Sequence, residues 1–282
     1  MQTSPDRPVQ LSVSIVVHNS SARLLASTLA SLAVSVGFAH ARGVLARARI
    51  TLVDNASSSD FRQELDTLLA NVETGEYMTL EFLPQPDNLG FGRGHNLVLP
   101  RLASDYHLVL NPDAELAEDA LANGLAVLLA DHRIALLSPR FTAGSGEQEY
   151  LCKAYPSVLV LLLRGFAPAF VRDLFRRRLD AYELREACSG SQQAEVEIAS
   201  GCVMLLRTDA LQAVGGFNED FFLYFEDFDL SLRIAGQGSL VFEPAMSVVH
   251  HGGYAARKGW NHVKLFIRSG IQFFRLHGWR WI

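Results

Sequence analysis

Three carboxylates, Glu226, Asp227 and Asp229, lie in the stretch "FFLYFEDFDLSLRI" (221–234) among the rings of Phe221, Phe222, Tyr224, Phe225 and Phe228. Acids are seldom enclosed by apolar groups, because burial opposes ionisation. A helix starting near Glu226 accounts for part of the pattern. On it Leu230 and Ile234 form an apolar stripe, and Asp229 and Arg233 have the i,i+4 spacing of an ion pair. Asp227 then falls in the first turn, where the helix dipole favours the ionised form and the aromatics oppose it. A carboxylate balanced between those forces suits a general base. An acid in a first helical turn is also an ordinary structural feature.

Other residues with chemical capacity sit at the ends of hydrophobic runs. In "LVDNASSSD", Asp54 and Asn55 follow a strand; Asp54 can accept from the ring N–H of a nucleobase or close an Asx turn before the next helix. In "DNLGFGRGHN" (87–96), Gly90, Gly92 and Gly94 can let backbone N–H groups approach a diphosphate, with Arg93 as a charge partner. A plain Gly-rich turn fits the same residues. The run is not GxGxxG, follows the third strand rather than the first, and lacks a P-loop Lys-Ser/Thr ending, which argues against a dinucleotide-binding dehydrogenase. "LVLNPDAEL" ends a strand with Asn111, Asp113 and Glu115. Asp113 is read as a ligand for a hard divalent cation that also touches phosphates, and Glu115 as a helix-capping acid. His250 and His251 in "SVVHHGG" point to opposite faces of a strand, so at most one serves a given site.

The elements that must position these residues alternate. "LSVSIVV" (11–17), "RITLVD" (49–54), "MTLEFLP", "YHLVL" (106–110) and "IALLSP" read as strands, separated by helical patterns at "SSARLLASTLASLAVSV", "SSDFRQELDTLLANV" and "AEDALANGLAVLLADH". Such alternation predicts βαβ crossovers and a mostly parallel, Rossmann-like α/β sheet. Ligands bind at the carboxyl ends of its strands. That rule selects four loops: His18–Ser21, Asp54–Ser59, Asn88–Asn96 and Asn111–Glu115.

The chain has 282 residues and a net charge of −5, with no global attraction for nucleic acid or acidic lipid. The charge is uneven: Pro244–Ile282 contains no Asp or Glu but holds Arg257, Lys258, Lys264, Arg268, Arg275, Arg280 and all three tryptophans, Trp260, Trp279 and Trp281. Cys152, Cys188 and Cys202 lack CxxC spacing, which disfavours a disulfide framework or zinc cluster. No apolar signal region opens the sequence, and no run is expected to reach membrane-span length, the nearest being "VLVLLL" (158–163). A cytoplasmic location is the expectation.

Taken together and in order, "VSIVVHNS", "LVDNASSSD", "DNLGFGRGHN", "LVLNPDAEL" and "SGCVMLLRTDALQAVGGFNEDFFLYFEDFDLSLRIAGQGSLVFEPAMSVVHHGG" resemble the inverting family 2 glycosyltransferases with a GT-A fold, in their rhamnosyltransferase-like branch. The resemblance covers most of residues 11–253. It implies a nucleotide-sugar-binding half at 11–140, an acceptor-binding and catalytic half at 141–253, a flexible stretch at 1–10 and a basic helical tail at 254–282. It further implies that Asp54 binds the base, with His18 and Asn19 beside the nucleoside. Asn88, Gly90, Arg93, Asn96 and Asn111 would complete the donor pocket. Asp113 would hold Mg2+ or Mn2+, with His250 matching the family's later ligand better than His251. Asn111 replaces the first acid of the family's DxD motif, which leaves fewer anionic ligands. Asp227 matches the catalytic base, with Glu226, Tyr224 and Phe222 on the acceptor side.

The activity implied is transfer of a sugar, L-rhamnose from dTDP-rhamnose foremost, to a glycan or polyprenyl-diphosphate-linked acceptor. Rival readings are a transferase using a UDP- or GDP-sugar, a sugar-nucleotide pyrophosphorylase, and a non-catalytic nucleotide-binding scaffold. A pyrophosphorylase would want a Gly-rich loop after the first strand, which "VHNSS" is not. The tail, with Val263, Phe266, Ile267, Phe274 and Leu276 on a stripe, can lie on the anionic inner face of the cytoplasmic membrane, pack on the domain, or meet a second copy.

Overall fold

A computed structural model describes residues 7–72, 74–252 and 260–282. Arg257, Lys258 and Gly253 of the motifs above lie outside the described residues. The chain runs β1 (Val9–Val17), α1 (Ala22–Ala41), β2 (Leu45–Asn55), α2 (Ser59–Leu69), β3 (Met78–Gln85), α3 (Phe91–Asn96), β4 (Tyr106–Leu110), β5 (Ala114–Leu116), α4 (Ala120–Ala130), β6 (Ile134–Ala143) and β7 (Gln148–Glu149). It continues through α5 (Val158–Phe166), α6 (Ala169–Leu174), α7 (Arg176–Tyr182), α8 (Arg185–Ser189), β8 (Ala194–Glu195), β9 (Val203–Arg207), α9 (Thr208–Ala213), α10 (Glu226–Ile234), β10 (Ser239–His250) and α11 (Trp260–His277).

The strands form one sheet in the order β3-β2-β1-β4-β9-β6-β10-β5, with β7 on β6 and β8 on β10. The first four are mutually parallel. The expected mostly parallel sheet is found, with short antiparallel ladders joining it beyond these four. β9 enters antiparallel between β4 and β6, and β5, β7 and β8 also pair antiparallel; only β10 runs parallel to β6. β9 reaches its slot through the excursion 144–202 rather than by a simple crossover, so no helix periodicity announces its direction.

β1 is covered on both faces: Leu11, Val13, Ile15 and Val17 are buried on one, and Ser12 and Ser14 on the other. The helix starts follow their caps: Ser21 accepts from Leu24 N–H at α1 and Ser58 from Phe61 N–H at α2. One expectation on membrane length is overturned, since α1 is 20 residues long and apolar enough to span a bilayer. It buries Leu25, Leu32 and Val36 completely in the core. The small and hydroxylated residues between them masked the run in the sequence.

A polar chain crosses the sheet beneath the carboxyl ends. His95 Nδ1 meets Ser14 Oγ at 2.7 Å, Ser14 Oγ meets His107 Nε2 at 2.9 Å, and His107 Nδ1 meets Ser12 Oγ at 2.7 Å. It pins α3 to β1 and β4. Burial pushes both imidazoles down to about 3, so each is neutral in the fold.

Candidate active site

The carboxyl ends of β3, β2, β1 and β4 lie side by side, and hydrogen bonds lace their loops together. His18 Nδ1 is 2.8 Å from Asn55 O, Asn19 N–H donates to Ser57 Oγ, and Asn19 Oδ1 accepts from Ser58 N–H. Asn55, buried at 2% exposure, accepts from Leu89 N–H and donates to both Asn88 Oδ1 and Gly90 O. It is the knot of the donor-side loops, a role its place after Asp54 did not reveal.

Several expected donor contacts are turned elsewhere. Asp54 has no exposed surface; Oδ1 accepts from Ser57 N–H and Oδ2 from Arg62 Nε at 2.6 Å. A base reaching that carboxylate would first have to displace Arg62. Each glycine of "NLGFGRG" has a packing role. Gly90 takes φ +86°, its N–H donates to Asn88 Oδ1, and a Cβ there would overlap Phe222 O. Side chains at 92 and 94 would press on Phe217 and Val16. Arg93 Nε donates to Glu219 O at 2.7 Å, and Asn96 clamps Phe217 through its backbone N–H and C=O. Both residues therefore bind the 217–219 loop.

The second cluster lies where β4 ends against β9 and β10. Asn111 N–H donates to Cys202 O, and His251 N–H to Asp113 O. Asp113 Oδ1 is buried without a partner among the described residues, and His250 Nε2 stands 4.0 Å from it. His250 Nδ1 is 2.8 Å from Glu149 Oε2, while His251 Nε2 is 2.9 Å from Glu115. The two histidines thus face different carboxylates, as their opposite strand faces require. Glu149 was not legible in "TAGSGEQEY"; it arrives because β7 hairpins onto β6, whose Phe141 pairs with Val248 of β10.

That donor set fits a hard divalent cation. Glu149 holds the proton-bearing nitrogen of His250 and leaves Nε2 aimed at Asp113, the outer-sphere arrangement common to metal-bound histidine. Two ligands of one small ion, each about 2.1 Å from it, lie at most about 4.2 Å apart, so the observed gap admits one. Among the described residues no three or more acidic, His or Cys groups converge as a ready-made cage. Ions such as Mg2+ are held that way, by one or two protein groups and substrate phosphates.

Asp227 opens α10. Two consecutive non-glycine residues, Tyr224 (φ 73°) and Phe225 (φ 66°), take the left-handed conformation just before it. Each such residue is strained by roughly 1–3 kcal/mol. Burial of Phe225 against Phe228, Phe266 and Phe273, with centroids 5.1–5.4 Å apart, offsets the strain. The tight entry delivers Asp227 with Oδ2 accepting from Gly201 N–H and Oδ1 from Phe228 N–H, both at 3.0 Å. Asp227 stays half-buried, beside the Phe91 ring at Gly201. The charges of Asp113, Glu149 and Asp227 add to burial in pushing up the thiol of Cys202, which immediately precedes β9.

Glu226 is different. It is 4% exposed and its Oε2 has no partner among the described residues, so it is enclosed and does not offer itself to an acceptor as expected. Burial, then the Asp227 charge, push its carboxyl up to about 8. Burial also raises Asp227, opposed by the hydrogen bonds from Gly201 and Phe228. Both carboxyls are thus raised, and of the two Asp227 has the hydrogen bonds that favour its ionised form. Asp229 pairs with Arg233 at 2.7 Å, as its spacing predicted, and also meets His277 Nε2 at 2.9 Å.

Most of the aromatics form a socket for α11. Phe221 and Phe225 are buried with Phe273 and Phe274 of α11, and Phe228 packs beside them. Tyr224 Oη lies 3.0 Å from His262. Phe222, 43% exposed, lines a shallow cleft with Arg93, Arg268 and Gln272.

Comparison with known proteins agrees with this architecture. A sequence model described as "Glycosyl transferase family 2" matches residues 12–215, more than half the chain. The N-acetylglucosaminyl-diphospho-decaprenol L-rhamnosyltransferase of Mycobacterium tuberculosis (strain CDC 1551 / Oshkosh) is 27% identical over 245 residues, covering 82% of this chain and 76% of that protein. Rhamnosyltransferase WbbL of Escherichia coli (strain K12) is 23% identical over 221 residues, covering 73% and 79%. Among solved structures, GalNAc-T7 with UDP, GalNAc and Mn2+ superposes with a TM-score of 0.63 at 16% identity, over 96% of this chain and 48% of that one. The mannosyltransferase PcManGT from Pyrobaculum calidifontis, with GDP-Man and Mn2+, gives 0.59 at 17% identity, over 96% and 71%. The fold is therefore GT-A, and the chain belongs to glycosyl transferase family 2 as a rhamnosyltransferase-like glycosyltransferase.

Proposed function

We propose that the protein transfers L-rhamnose from dTDP-rhamnose, with inversion, to a hydroxyl of a glycan carried on a polyprenyl diphosphate. The observation carrying this reading is Asp227: a half-buried carboxylate fixed by two backbone N–H groups, beside an enclosed acidic neighbour. Such a group can accept a proton without moving. Asp227 takes the proton of the acceptor hydroxyl as its oxygen attacks the anomeric carbon. The bond from that carbon to the diphosphate breaks on the opposite face, and its electron pair leaves with dTDP. Mg2+ or Mn2+ held by Asp113 and His250 would supply Lewis-acid stabilisation of the diphosphate. Asn55, Asn88 and Asn19 order the loops that receive the nucleoside. The rhamnose assignment draws its support from the two relatives named rhamnosyltransferases.

The test is calorimetry with dTDP, UDP and GDP, with Mn2+ and with EDTA, followed by transfer assays on wild type and Asp227→Asn. The expected result is tightest binding of dTDP, weakened when the metal is removed. Asp227→Asn should bind dTDP as wild type does yet lose turnover by at least about 10²-fold, the lower range for removing a general base. Preference for UDP or GDP would reassign the donor. Nucleotide binding without turnover by wild type on any donor would favour a non-catalytic role.

A further inference from the structure

The apolar stripe of the tail, which the sequence offers as a membrane contact, is divided: Phe274 is buried and Phe266 packs beside it, while Ile267 and Leu276 are 48 and 54% exposed. A more exposed apolar row lies elsewhere. Leu162 and Phe166 on α5, then Phe170 and Leu174 on α6, recur every fourth residue and are 52, 61, 75 and 80% exposed. The opposite side of α5 is also apolar, with Val160 and Leu163 buried, so the outer row is not the edge of a core. Contiguous exposed apolar residues of this kind mark interaction surfaces.

The same segment is cationic. Residues 162–178 carry Arg164, Arg172, Arg176, Arg177 and Arg178 against one acid, Asp173. Arg164 reaches Glu183 at 3.4 Å and Arg176 reaches Asp180 at 3.9 Å; among the described residues Arg172, Arg177 and Arg178 have no acidic partner. The end of the tail joins this surface. Val158 N–H donates to Arg280 O and Leu159 N–H to Trp281 O, which sets Trp281 and Ile282, 64 and 74% exposed, beside the first turn of α5. The surface also adjoins the site, because Val158 and Leu161 of α5 pack on the Phe221 and Phe225 cluster at the entry to α10.

We propose that α5 and α6, with the arginines of α7 and the end of the tail, are the face that seats the protein in the headgroup region of an anionic bilayer. Leu162, Phe166, Phe170 and Leu174 enter the acyl boundary while Arg172, Arg177 and Arg178 meet lipid phosphates. Seated this way, the protein holds Asp227 at the membrane surface. A lipid occupant is favoured over a second copy by charge, since a two-fold interface here would oppose two clusters of arginine.

Flotation of the full chain with phosphatidylcholine vesicles, with and without phosphatidylglycerol, tests this independently of donor or activity. Binding is expected only to the phosphatidylglycerol vesicles and should weaken as salt is raised. Phe166→Ser with Phe170→Ser, and separately Arg177→Glu with Arg178→Glu, should each lower the partition constant at least about tenfold. Their melting temperatures and dTDP affinity should match wild type, because these side chains are exposed and outside the site. Failure to float with either vesicle, or variants that float like wild type, overturns the proposal. So does a solution dimer that these substitutions dissociate, which would assign the face to self-association.

Discussion

Glu226 and Asp227 are adjacent acids with opposite surroundings. Asp227 has two N–H donors and access to the site; Glu226 has neither a partner for Oε2 nor exposure. The sign of the consequence follows from linkage. A carboxyl raised from 4.5 to about 8 keeps its proton in the fold after the unfolded chain has released it. Its contribution to stability is therefore complete below about pH 4.5 and is lost as pH rises towards 8, at up to about 1.4 kcal/mol per pH unit. Gln has the shape of the protonated acid and cannot ionise. Glu226→Gln should thus be more stable than wild type at pH 8, with the gain shrinking towards pH 5, as urea titrations at both values would read. If instead Glu226 must be charged, the substitution will destabilise at pH 8.

At the level of elements, α10 and its neighbours were readable in part. The span of the helix, the Leu230–Ile234 stripe and the Asp229–Arg233 pair followed from local spacing, since each depends on residues within one or two turns. The strand ends of the parallel half were equally plain. What local spacing could not give is who meets whom across the chain. Glu149 reaching His250, Arg62 covering Asp54, and α11 filling the aromatic socket all depend on sheet order and on a helix that follows the site in sequence. The Gly-rich loop illustrates the ambiguity: three glycines fit an anion cradle or a tight crossing, and only the neighbours Phe222, Phe217 and Val16 distinguish them. Gly90→Ala tests the crossing. At φ +86°, with Phe222 O where a methyl would go, it should destabilise by more than about 1 kcal/mol and lower the melting temperature. Because the Gly90 N–H already serves Asn88, the substitution should act through loop order, weakening dTDP binding in proportion to lost stability rather than abolishing it in a well-folded protein.

For the molecule as a whole, two buried features of opposite sign set where the fold is most stable. His95 of α3 and His107 of β4 stay neutral in the fold, down to about pH 3, while the unfolded chain protonates them near 6.5. Below pH 6.5 the unfolded state binds more protons, so stability falls with acidity at up to about 1.4 kcal/mol per pH unit for each histidine. Glu226 acts the other way from about 4.5 to 8, at half the combined slope of the two histidines. Between pH 4.5 and 6.5 the histidines oppose Glu226 and Asp227, whose carboxyl burial also raises; above 6.5 the histidine contribution is spent and stability falls. Denaturant titrations should therefore show stability declining from pH 6.5 towards 8. His107→Gln, uncharged at every pH, should lower the slope between pH 4.5 and 6.5 by up to about 1.4 kcal/mol per pH unit relative to wild type and leave the alkaline side unchanged. A variant profile parallel to wild type over that range would mean that water reaches the Ser14–His107–Ser12 chain and lets it charge within the fold.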